Sequence, residues 1–140
     1  KLDDDLPAIK CRSQQIQQVL MNLLTNARDT LNEKFPGYAE KKQIIVSCHA
    51  FSQDNKRWIR LTVEDNGMGV PADVAGKVFN PFFSTKPKDK GTGLGLAISF
   101  GIIQDHQGSL TFETAAGAYT RFHIELPVDN GWGDEPEEAP

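Results

Sequence analysis

Between Ser13 and about Lys34 the apolar residues Ile16, Val19, Leu20, Leu23, Leu24, Ala27 and Leu31 recur at helical spacing and form one stripe. A helix that long with a single apolar face must lie against a matching apolar surface. Ser13 fits an N-cap, Pro36 and Gly37 end the helix, and 38–42 is a polar link.

The matching surface comes from strands. Ile44–Phe51 and Trp58–Glu64 read as two strands joined by a turn at Gln53, Asp54, Asn55 and Lys56. In the second, Ile59, Leu61 and Val63 share one face and Arg60, Thr62 and Glu64 the other. Ser109–Thr114 and Tyr119–Leu126 read as a second hairpin, with Phe122, Ile124 and Leu126 on one side. Leu6–Cys11 is expected to form a short first strand, at an edge because of Pro7. Ala72–Val78 suits a short helix and 80–93 a loop; Leu94 to about Gln107 suits a helix with Gly108 as its C-cap. Hairpin-linked strands with helices on one face give an α+β, two-layer sandwich. Residues 1–128 are expected to form one domain and 129–140 an acidic tail or linker.

The 140 residues suffice for one self-supporting core without disulfide or metal. No apolar run approaches the roughly 18 residues of a membrane span, so no direct membrane contact is expected of this segment. A start at Lys1, without Met or signal peptide, suggests a piece of a longer protein. The net charge of −4 argues against nucleic acid as a partner. Lys86, Lys88 and Lys90 nevertheless crowd the loop before a glycine run, where a phosphate could bind. Cys11 and Cys48 have no ligand-spaced partners and read as reduced thiols of a cytoplasmic protein.

Asn22 and Asn26 lie four residues apart, on one helical face at the margin of the apolar stripe. They could be ordinary surface residues, or two amides offering oxygen to a hard cation such as Mg²⁺. Asp65 shares parity with Val63 and so points toward the helix layer, where an unpartnered charge is costly. It could cap a local turn or accept a hydrogen bond from a ligand's exocyclic amine. Gly67 and Gly69 after it allow unusual backbone angles and close approach of a flat ring. Gly91, Thr92, Gly93, Leu94, Gly95 and Leu96 open a helix, where amides and dipole favour an anion. The run is neither a P-loop nor a dinucleotide fingerprint. Phe79, Phe82 and Phe83 precede the loop as anchoring aromatics.

In order and spacing these segments resemble the GHKL ATPases, and among them the catalytic domains of two-component sensor histidine kinases. Asn22–Ala27 resembles the N box, Asp65–Gly69 the G1 box, Phe79–Lys86 the F box, Gly91–Leu96 the G2 box, and Gly117–Phe122 the last glycine box. The stretches around Ala27 and Ser84 look most like the nitrogen-regulator-type subgroup with a short ATP lid. The resemblance covers 6–127 and implies the Bergerat fold, a mixed, mostly antiparallel sheet covered on one face by helices. It implies ATP and Mg²⁺ as cofactors, with Asn26 as metal ligand and Asn22 beside it. Asp65 would accept from the adenine amine with Thr120 nearby; Gly67, Gly69, Val70 and Phe79 would shape the pocket. Lys86 and the amides of 91–96 would hold phosphates under a lid spanning 80–93, and Arg28 and Asp29 would reach ribose or phosphate. The partners implied are the protein's own upstream dimerisation and phosphoacceptor domain, in a homodimer, and a response regulator receiver domain.

Two departures matter. Tyr119 stands where the last box usually has its second glycine, and none of His49, His106 and His123 sits in a phosphoacceptor sequence. All three are expected to be structural or surface residues. The alternative within the superfamily is a clamp or chaperone ATPase such as DNA gyrase B, MutL or the large heat-shock chaperone. Those carry a glutamate base at the position of Asn22, and an amide cannot take a proton from water.

Overall fold

A computed structural model describes residues 11–35, 41–71, 73, 75–79 and 95–128. Helix α1, Ser13–Lys34, buries Val19, Leu23, Ala27 and Leu31, the centre of the stripe expected from spacing. Its N-cap is Arg12, not Ser13, and no side chain caps it. The Arg12 amide is instead held from across the fold, donating to His106 Nε2 at 3.1 Å, so the chain turns into the helix one residue earlier. No cap hydroxyl is needed there, because the Arg12 carbonyl already accepts from the amides of Gln15 and Ile16.

Four strands follow among the described residues: β1, Ile44–Gln53; β2, Lys56–Asp65; β3, Ser109–Ala115; and β4, Tyr119–Pro127. Their order is β1-β2-β4-β3, every neighbouring pair antiparallel. The β1–β2 connection is tighter than the sequence suggests. Asp54 and Asn55 take positive φ of 54° and 63°, a two-residue turn that lets pairing run up to Gln53 and Lys56. Both strands are therefore longer than the expected 44–51 and 58–64. The expected strand at Leu6–Cys11 lies outside the described residues except for Cys11, which is in no strand.

Alternation puts Val63, Leu110, Phe122, Ile124 and Leu126 on the inner face, packed with Val19 and Leu23 of α1. Helix α2, Gly95–Asp105, adds Ile103 to the same core. The outer face is polar and paired with itself: Arg60 with Glu125, Arg121 with Glu64 and Glu113, and His123 with Glu113 and Thr62. Among the described residues helices thus cover one face only, as the α+β two-layer reading requires.

The expected helix at Ala72–Val78 is a single 3₁₀ turn over Ala75–Lys77. At the end of α2 the left-handed residue is Gln107 (φ 61°), not Gly108. The Gly108 amide reaches Ile103 O and the Gln107 amide reaches Gln104 O, the paired bonds of a Schellman ending. Position 108 excludes a side chain for a different reason: a Cβ there would lie 2.2 Å from the Glu125 carbonyl oxygen. His106 is fully buried, as a structural role demands. Its Nε2 accepts from Arg12, and its Nδ1 donates to the Ile102 carbonyl at 2.8 Å.

Candidate nucleotide site

Residues of α1 face the site from one side. Asn22 Nδ2 donates to the Gly95 carbonyl at 3.2 Å and to Ser99 Oγ at 3.1 Å. Ser99 Oγ in turn donates to Gly95 O at 2.8 Å. A carbonyl can only accept, so the amide orientation is set and Oδ1 has no donor among the described residues. Asn26, one turn on, is half-buried, and its side chain makes no hydrogen bond among the described residues. Asp29 pairs with its neighbour Arg28 at 3.4 Å, an arrangement between side chains 20% and 66% exposed that contributes little.

Asp65, the last residue of β2, is 2% exposed. Both of its hydrogen bonds fall on Oδ1, from the Gly67 amide at 2.8 Å and Thr30 Oγ at 3.1 Å. The carboxylate thus caps the turn that follows it, one of the two roles its position allowed, while Oδ2 has no donor among the described residues. Burial pushes its pKa up, against the lowering effect of those two donors.

The two glycines after Asp65 are required by the protein's own atoms. A Cβ at Gly67 would meet Thr30 Oγ at 2.5 Å and Asp65 Oδ1 at 2.8 Å. Gly69 has φ +70°, and a Cβ there would lie 2.3 Å from the Ala115 carbonyl oxygen. The segment is stitched to the β3–β4 hairpin on either side, Met68 O accepting from the Gly117 amide and the Val70 amide donating to Thr114 Oγ.

Thr120 lies opposite Asp65 in the β2–β4 register and is 1% exposed. Its hydroxyl is 3.3 Å from Thr114 Oγ. Thr114 already donates to the Tyr119 carbonyl at 2.9 Å, so it accepts from Thr120, whose hydroxyl oxygen then has no donor among the described residues. Tyr119 takes ordinary strand backbone where a glycine was expected, with Arg121 over its ring. The left-handed residue of this turn is Gly117, at φ +79°.

Phe79 packs among Phe100, Phe112 and Phe122, and Leu96 joins the same core. Their side chains are thus anchors of the site. Lys86, Gly91, Thr92, Gly93 and Leu94, with the rest of 80–93, lie outside the described residues. The fold brings Asp65, Gly67, Gly69, Val70 and Thr120 to one end of β2 and β4, and Asn22 to the first turn of α2. Sequence reasoning missed Thr30, Ser99 and Thr114. Thr30 could have been found, four residues beyond Asn26 on the same row, whereas Thr114 is apparent only from strand register.

Among the described residues no three His, Cys, Asp or Glu side chains cluster as a metal site, and no helix is long and apolar enough to cross a membrane.

Residues 11–130 match the family model of histidine kinase-, DNA gyrase B- and HSP90-like ATPases. Sporulation kinase E of Bacillus subtilis is 37% identical over 127 residues, 91% of this chain but 16% of that protein. The sensory histidine kinase/phosphatase NtrB of Rhodobacter capsulatus is 35% identical over 137 residues, 90% of this chain and 35% of its own length. NtrB supports the nitrogen-regulator-type resemblance. The solved catalytic domain of histidine kinase ThkA superposes with a TM-score of 0.71 at 30% identity, covering 91% of this chain and 75% of that one. These relatives are sensor kinases, not chaperones, and the family supports ATP as the ligand. With its match, its fold and its ordered boxes in agreement, this chain belongs to the histidine kinase-, DNA gyrase B- and HSP90-like ATPases, as a catalytic domain of the sensor histidine kinase kind.

Proposed function

We propose that this domain binds Mg-ATP and supplies the γ-phosphoryl group that a two-component sensor kinase transfers to a histidine of its own dimerisation domain. The observation that carries the reading is Asp65: a buried carboxylate with both donors on one oxygen and the other oxygen available to an exocyclic amine. Adenine offers that amine, whereas guanine offers a carbonyl oxygen at the same position. Thr120, whose hydroxyl oxygen has no donor among the described residues, suits a water between base and carboxylate.

Asn26 and Asn22 fit a hard cation, since each keeps an amide oxygen without a donor among the described residues. Bound Mg²⁺ would neutralise phosphate charge, and Asn26 would be its protein ligand. Val70 and the backbone around Gly67 and Gly69 would bound the base; Lys86 and the amides of 91–96 would hold phosphates. Asn22 is tied through Nδ2 to α2 and has no basic group, which favours phosphoryl transfer over hydrolysis. The reading also takes 1–128 as a cytoplasmic catalytic and ATP-binding domain and 129–140 as an acidic tail or linker, within a full-length protein that is a homodimer and has a response regulator receiver domain as partner.

Calorimetric titration with ADP and GDP tests this. ADP should bind more tightly than GDP, and Asp65→Asn should weaken ADP at least tenfold, because truncating a buried charged partner costs about 2–5 kcal/mol. Equal ADP affinity for wild type and variant would remove Asp65 from the site.

A further inference from the structure

Asp65 has two donors, and one of them belongs to no glycine box. Thr30 stands on α1 in a row with Asn22 and Asn26, at successive intervals of four residues. The first member of the row is fixed to α2, and the last reaches across to β2.

The Thr30 hydroxyl has one proton and two acceptors, Asp65 Oδ1 at 3.1 Å and the Ala27 carbonyl of its own helix at 3.1 Å. A hydrogen bond to an ionised carboxylate is roughly twice as strong as one between neutral groups. The proton therefore goes to Asp65 when the carboxylate is charged, and falls back to the helix when it is neutral. Gly67 makes space for this hydroxyl: a Cβ at that position would meet Thr30 Oγ at 2.5 Å, so a side chain there would displace it from Asp65.

We propose that Thr30 is a positioning residue for base recognition: its hydroxyl holds the Asp65 carboxylate in the plane that presents Oδ2 to the amine of an adenine nucleotide, and so sets discrimination against guanine. The inference rests on the reading of Asp65 given above. Thr30 also supports the charged form that must accept the amine. The other charges acting on Asp65 are Glu64 beside it on β2, which opposes ionisation, and Lys34 of α1, which favours it. The face of β4 opposite contributes Thr120, which does not titrate.

The test is titration of the wild-type chain, Thr30→Val, Thr30→Ser and Asp65→Asn with ADP and GDP from acidic to neutral pH. Thr30→Val keeps the shape and removes the donor. It should weaken ADP roughly tenfold and leave GDP unchanged. On acidification its ADP affinity should begin to fall at a higher pH than that of wild type. Thr30→Ser should restore both affinity and pH profile. If Thr30→Val binds ADP like wild type, or loses ADP and GDP equally with no change of pH profile, Thr30 has no positioning role. Should Asp65→Asn weaken ADP while Thr30→Val does not, only this inference fails. Should neither variant affect ADP, the assignment of Asp65 fails with it.

Discussion

The Asn22 amide donates to Ser99 Oγ at 3.1 Å, and both groups meet at the carbonyl oxygen of Gly95. A motif on α1 is thereby locked to the first turn of the helix that the glycine run opens. Ser99 is fully buried. Ser99→Ala removes one donor and one acceptor and should cost about 1–2 kcal/mol, read as a lower urea midpoint with unchanged slope. An unchanged midpoint would mean the triad contributes nothing to stability.

Asp65→Asn has a second consequence, in the nucleotide-free protein. Burial raises the pKa of Asp65 in the folded state above 3.8, so the native state holds this proton more tightly than the unfolded chain. The stabilisation is complete below the unfolded pKa and is lost as pH rises through the folded one. At neutral pH the charged side chain thus opposes folding. Asp65→Asn cannot titrate, so the melting temperature of the free wild type minus that of the variant should grow as pH is lowered from neutral. A difference that stays constant with pH would show that Asp65 contributes nothing to the pH dependence.

For Asn26 the expected signature is loss of metal dependence. Wild-type ATP affinity should fall when EDTA replaces Mg²⁺, whereas that of Asn26→Ala should hardly respond. A variant that keeps the full metal effect would rule Asn26 out as ligand.

Glycines separate by what surrounds them. Gly101 is inside α2 with open space around its Cα, so Gly101→Ala should stabilise by about 1 kcal/mol. Gly69→Ala meets the Ala115 carbonyl and a left-handed φ together, and should destabilise by roughly 2 kcal/mol or more. Thermal denaturation of the two variants, side by side, checks both signs.

Periodicity was enough to read α1, both hairpins and the inner face of the sheet, because burial follows from spacing when a helix or strand has one wet side. It fell short at local termini. Arg12 replaces Ser13 as N-cap because His106, distant in sequence, holds its amide, and Gly108 is needed not as the left-handed residue but because the Glu125 carbonyl leaves no room for a Cβ. The same limit holds at the site. Asp65 was legible from parity alone, but its donors on α1 and the Thr114–Thr120 pair depend on which strands become neighbours. The side chains of Phe79 and Leu96 pack on the core, a role compatible with the binding role expected of them.

His106 and Arg12 close a second tie between the helices that Asn22 joins to Gly95. On α1 the two ties stand ten residues apart, about 15 Å along the axis. The first half of α1 is thus fastened to both ends of α2, and the two cannot slide past each other without breaking one of these bonds. A shift of the backbone at Arg12 would have to carry the turn at Gly95 with it or break a tie.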